Sequence, residues 1–265
     1  MINMRWWVHL ILFLLIVPLA YYAVFPQILR CQFIGYSDDF SPVTTNVFVS
    51  NDTPARQRIL LMAELRQASG RIRQLWESQP QGKAKVIFCQ TPEQYEQYCR
   101  NGEGAGCSLG TPWGSSWIII NPYGRNPNVL AHEMCHDELF TRLGWLTTQR
   151  QIPQWFNEGL ALMVDQRFTE ETDSLQRYES FRDEWLYLTH GQQYMLELST
   201  IESLGGFFSG GERRVMLAYM TAGMEVSRWL GKVGRRGLAQ LILAIEQGED
   251  FEAVYRRLEK RAGHK

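Results

Sequence analysis

Two histidines four residues apart, His132 and His136, constrain this chain more than any other feature. They stand in the stretch Val-Leu-Ala-His-Glu-Met-Cys-His-Asp-Glu-Leu, residues 129–139. On an α-helix, residues at that spacing share a face, so both imidazoles can meet one ion. Val129, Leu130 and Ala131 precede the pair, and Leu139 and Phe140 follow it. Such flanks belong to a buried helix, and histidines buried on it need partners. Cys135 is turned about 100° away from His136 on a helix and reads as core packing. The fold must therefore bury this helix and leave its histidine face open to further ligands.

Glu133 adjoins the first histidine, where a carboxylate can act as general base on a water. Zinc would polarise a scissile carbonyl and lower the pKa of water at its open position to about 7. A site of that kind needs a third protein ligand. Glu158, in Pro-Gln-Trp-Phe-Asn-Glu-Gly-Leu-Ala at 153–161, is the candidate. A carboxylate in so apolar a segment is costly unless it is neutralised or coordinated.

An HExxH helix followed by a WFNEGLA-like helix resembles the gluzincin zinc metallopeptidases, most closely their peptidase MA-like members. The similarity runs from about Asn128 to Leu258. It implies His132, His136 and Glu158 as the ligands of one zinc per chain and Glu133 as general base. No glycine and third histidine follow His136 in the metzincin manner. The family also uses a downstream Tyr or His against the oxyanion. The resemblance points to Tyr219 for that role, beside the plainer reading of a core tyrosine, and His190 is the rival. Asp137, Glu138 and Asp165 are candidates to orient the imidazoles. The thermolysin-like position for such an acid, one turn after Glu158, holds Leu162. Gluzincins bind extended peptides along a sheet edge, and residues 117–121 (WIIIN) fit such an edge strand or an interior one.

Residues 6–25 contain no Asp, Glu, Lys or Arg. About 20 such residues suffice to span a bilayer as a helix. Trp6 and Trp7 at one end, and Tyr21, Tyr22 and Phe25 at the other, match interfacial aromatic belts. The segment is expected to be a membrane anchor with the N-terminus inside, the alternative being a cleaved signal peptide. The net charge is −1, which with no basic run gives no case for nucleic acid. The five cysteines allow one disulfide among Cys89, Cys99 and Cys107, without fixing the pair.

Elsewhere the pattern predicts strands at 45–50, 85–89 and 117–121, helices from Thr53 to about Glu77 and from Thr91 to Cys99, and a loop over 101–116. From Asn126 onward it predicts helices near 127–142, 154–166, 172–190, 213–231, 235–247 and 250–260. The expected fold class is α+β and zincin-like: a small mixed α/β half, an active-site helix and a mostly helical half, preceded by one transmembrane helix. The expected layout is a cytoplasmic N-terminus (1–5), an anchor (6–25), a juxtamembrane linker (26–44) and a metallopeptidase domain (45–265). The expected function is hydrolysis of a peptide or protein substrate, by an endopeptidase, outside the inner (cytoplasmic) membrane. The competing reading is a membrane-tethered, zinc-binding module without activity.

Overall fold

The structure is a computed structural model that describes residues 7, 9, 16–17, 19–99, 104–191 and 196–263. Among them, one five-stranded sheet is followed by a layer of helices. In chain order the first elements are α1 (Pro26–Gln32), β1 (Phe40–Thr44), β2 (Val47–Ser50), α2 (Ala55–Trp76), β3 (Lys85–Phe88), α3 (Pro92–Tyr98), β4 (Gly106–Gly110) and β5 (Ser116–Ile120). Then come α4 (Pro127–Leu143), α5 (Trp145–Gln151), α6 (Gln154–Leu162), α7 (Ser174–Leu188), α8 (Leu204–Phe208), α9 (Glu212–Glu246) and α10 (Phe251–Ala262).

The strand order is β1-β2-β3-β5-β4. The three inner strands run parallel, and each edge strand is antiparallel to its neighbour. Because successive strand residues point to opposite faces, the unbroken apolar runs at 47–49, 86–88 and 117–120 feed two cores. Val49, Val86, Phe88, Ile118 and Ile120 face the helical half. Phe48, Ile87, Trp117 and Ile119 face Ile28, Cys31, Ile34, Tyr95 and Tyr98. Residues 26–44, expected to be a linker, thus supply a helix, an edge strand and part of the second core. A disulfide joins Cys99, just past α3, to Cys107 on β4.

Among the described residues no helix is long and apolar enough to cross a membrane. The transmembrane helix expected at 6–25 is therefore withdrawn, together with the single-pass membrane localisation drawn from it. Much of that segment, including Trp6, lies outside the described residues. Tyr21, Tyr22 and Phe25 pack on the second core rather than forming a lipid belt, with the Tyr21 ring 5.3 Å from that of Trp113.

The helical half is close to its expected outline. Asn126 caps α4 by accepting from the backbone N–H groups of Asn128 and Val129, with Pro127 in the first turn, a favourable helix start. Helix α9 is interrupted at Gly234, whose φ of 68° is non-helical, which matches the two helices expected at 213–231 and 235–247. Helix α6 crosses α9 at Gly159, where a Cβ would lie 2.6 Å from the Ala222 carbonyl oxygen. That approach requires glycine and presses α6, with Glu158, into the core.

Candidate metal centre

Helices α4 and α6 bring His132, His136 and Glu158 together as a buried group that could hold a metal ion, their ligand atoms all within 4.8 Å of one another. Glu158 Oε2 lies 3.2 Å from His132 Nε2 and 3.7 Å from His136 Nε2. The imidazole centroids are 4.9 Å apart. This is the convergence that the i, i+4 spacing predicts.

The far side of each imidazole is held by a different residue. His136 Nδ1 is 2.8 Å from Asn157 Oδ1, and His132 Nδ1 is 3.3 Å from Asp165 Oδ2. The Asn157 bond fixes the tautomer of His136 and orients its ring, whereas the Asp165 carboxylate faces His132 as an ion-pair partner outside hydrogen-bond alignment. Asp165 does this by another route than the one expected. Helix α6 stops at Leu162, so Asp165 lies in the turn beyond it and reaches back. Arg167 grips its carboxylate through Nε, at 3.1 and 2.9 Å, and through a terminal nitrogen. On the other ligand, Gln154 Nε2 donates to Glu158 Oε1 at 2.7 Å.

Asp137 and Glu138 face elsewhere. Asp137 accepts from Ser116 Oγ and the Ala84 N–H. Glu138 accepts from the N–H groups of Gln81 and Gly82 and from Arg142. They tie the segment before β3 to α4 and do not touch the imidazoles. His190 is exposed at the end of α7 beside Arg213, with φ 51°, and is not part of the ligand group.

Glu133 is 7% exposed, and its Oε2 accepts from Ser108 Oγ on β4 at 2.8 Å. Tyr219 packs against the site. Its ring centroid is 6.4 Å from that of His132 and 5.1 Å from that of Phe207, with Phe168 and Phe208 also adjacent. Burial, reinforced by the carboxylates of Glu158 and Glu133, pushes its phenol well above its usual range. It therefore stays a protonated donor at neutral pH.

The charges suit a cation. Glu133, Glu158 and Asp165 are all buried, and Arg167 pairs with Asp165. The ionisation of His132 carries the same signature. Burial opposes a proton there, yet Asp165 and Glu158 outweigh it and raise the imidazole to about 10. A metal would replace that proton.

Asn157, Ser108, Arg167 and Gln154 were not singled out in the sequence. Asn157 and Gln154 carried a signal, since both lie within a turn of Glu158. Strand β5 is interior, and β4 is the edge strand beside α4. No protein-family model matches the chain, and no curated protein matches it significantly.

Proposed function

We propose that the chain is a zinc-dependent peptide hydrolase of the gluzincin type, with His132, His136 and Glu158 holding one zinc. The observation that carries this reading is the ligand set: three ligand atoms converge, Asn157 bonds the far nitrogen of His136, and the Asp165 carboxylate lies 3.3 Å from that of His132. Two imidazoles and one carboxylate are a donor set that zinc accepts while keeping a fourth position open. When bound there, zinc supplies Lewis-acid polarisation of a carbonyl and acidifies water.

The chain's own residues would do the rest. Glu133, beside the ligands on the same helix, takes the proton of the attacking water and passes it to the leaving amine. Ser108 holds the Glu133 carboxylate at the edge of the sheet. Tyr219 donates its phenolic hydrogen to the developing oxyanion. An extended substrate would pair along the outer edge of β4, where main-chain hydrogen bonds give affinity with little sequence choice.

The test is Glu133→Gln. Loss of the base should lower peptide hydrolysis by about 10²–10⁴-fold while metal content stays at the wild-type level. Undiminished hydrolysis in that variant rules the mechanism out.

A further inference from the structure

Strand β4 is fastened on both of its faces, and successive strand residues point to opposite faces. Gly106, Ser108 and Gly110 face α4. A Cβ on Gly106 would lie 3.1 Å from Glu133 Cγ, and one on Gly110 would lie 3.2 Å from the Phe140 ring. Cys107 and Leu109 face the second core, where Cys107 is bonded to Cys99, just past α3. We propose that the Cys99–Cys107 disulfide is a redox-sensitive latch: it keeps β4 in place, and with it the bond from Ser108 to the Glu133 carboxylate, until a dithiol reductant opens it. Its effect on hydrolysis rests on the peptidase reading, and its effect on the strand does not.

Without the disulfide, β4 has few fastenings. It is an edge strand that pairs with β5 alone. The Asn121 N–H donates to the Ala105 carbonyl, and the Thr111 N–H to the Ser115 carbonyl. These flanking bonds set the alternation of an antiparallel ladder. Cys107 and Leu109 are therefore the residues that bond to their partners Ile119 and Trp117, while the backbone groups of Gly106, Ser108 and Gly110 point to the free edge. The strand sequence GCSLG holds two glycines, which weaken a strand. Ser108 Oγ lies 2.8 Å from Glu133 Oε2 and 3.0 Å from the Glu133 carbonyl oxygen. A hydroxyl on so short a side chain loses both contacts when the strand moves by about 1 Å.

The two sulfurs differ in access. Cys99 is 6% exposed, whereas Cys107 is half-buried on the edge strand, so Cys107 Sγ is the sulfur that an incoming thiolate reaches. The thiolate of the dithiol bonds to Cys107 Sγ, and Cys99 leaves as a thiolate and takes up a proton. The second thiol of the reductant attacks the mixed disulfide and frees Cys107. The dithiol is oxidised to a disulfide, and the cysteine pair gains its two electrons and two protons. The remaining cysteines stand apart from this exchange. Cys31, Cys89 and Cys135 are buried free thiols, and burial holds Cys31 and Cys89 in the protonated form, which is a poor nucleophile.

The experiment uses the full, zinc-loaded chain. It is treated with dithiothreitol under native conditions, freed of the reagent by gel filtration under nitrogen, and reoxidised in part with oxidised glutathione. Alkylation read by mass should find the Cys99 and Cys107 thiols newly exposed, with the three buried thiols unlabelled. The Cys107 and Leu109 amides should lose protection from hydrogen exchange, while α4 keeps its own. In the same samples kcat should fall about tenfold or more, the scale of one lost hydrogen bond to a charged group, with zinc content unchanged, and should return on reoxidation. Ser108→Ala should show the lower kcat already in its oxidised form, and reduction should leave it there. A disulfide that dithiothreitol does not open, unchanged β4 exchange once it is open, or an undiminished kcat in the reduced protein overturns the proposal. Oxidised, zinc-loaded protein that hydrolyses no peptide refutes the peptidase reading instead, because thiol count and exchange test the latch without a substrate.

Discussion

Residues 162–173 separate two regions of opposite character. On one side Glu133, Glu158 and Asp165 lie around two imidazoles, and His132, His136 and Glu158 form a group that could hold a metal ion. On the other, Arg71, Arg177 and Arg235 line a cavity. Asp165 belongs to both. Its carboxylate faces His132, while its carbonyl accepts from Arg177 at 2.6 Å. Arg177 also donates to the carbonyls of Leu162 and Glu171. The arginines fix the backbone of the segment, and the segment in turn aims an acid at the metal ligand. Both imidazoles are thus met from outside the helix that carries them: His136 by Asn157, beside Glu158 on α6, and His132 by Asp165, in the segment whose backbone Arg177 fixes.

The largest expected effect tests the cation side. Tyr219→Phe removes a donor and leaves the ring, so turnover should fall by about 10²–10³-fold with metal content unchanged. Steady-state hydrolysis beside metal analysis checks this, and unchanged turnover removes Tyr219 from the reaction. Next, Asp165→Asn should weaken zinc affinity about 10–100-fold, measured by competition with a chromogenic chelator. Asn157→Ala should fall within the same range, at its lower end, because it removes a neutral partner. Equal affinity in Asp165→Asn and wild type would break the link between the two regions. The smallest effect belongs to Arg235→Gln, which should leave zinc content and affinity as in wild type. A metal loss there would mean that the arginine side is part of the metal site.

The long helices were legible because their periodicity and caps are local. Asn126 and Pro127 announce α4, and the break at Gly234 is visible as a gap between two patterns. Strands β1 (FSPVT) and β4 (GCSLG) were not, since an edge strand with proline or glycine carries little alternation. Trp145–Gln151 (WLTTQRQ) has too few apolar residues to mark a helix. The anchor was read from the absence of charge alone; of its described residues Tyr21, Tyr22 and Phe25 pack on the core, whereas Ile16, Val17, Leu19 and Val24 are exposed.

Within the site, the ligands were legible for the same reason as α4: a four-residue spacing and a carboxylate in an apolar segment are sequence facts. Their supports depend on tertiary geometry. Ser108 reaches Glu133 from a strand 25 residues away in sequence, and Arg167 matters only because Asp165 turns back toward α4. Glu138 and Asp137, the more obvious acids, lie on the opposite side of their helix and serve the segment before β3.

The central claim is that three side chains on two helices hold one zinc. Its most direct test is the zinc content of the purified protein beside that of Glu158→Ala, after zinc supply and removal of excess. The account predicts about one zinc per chain, lost or severely reduced in the variant. No zinc in the intact protein, or undiminished zinc in the variant, would contradict it.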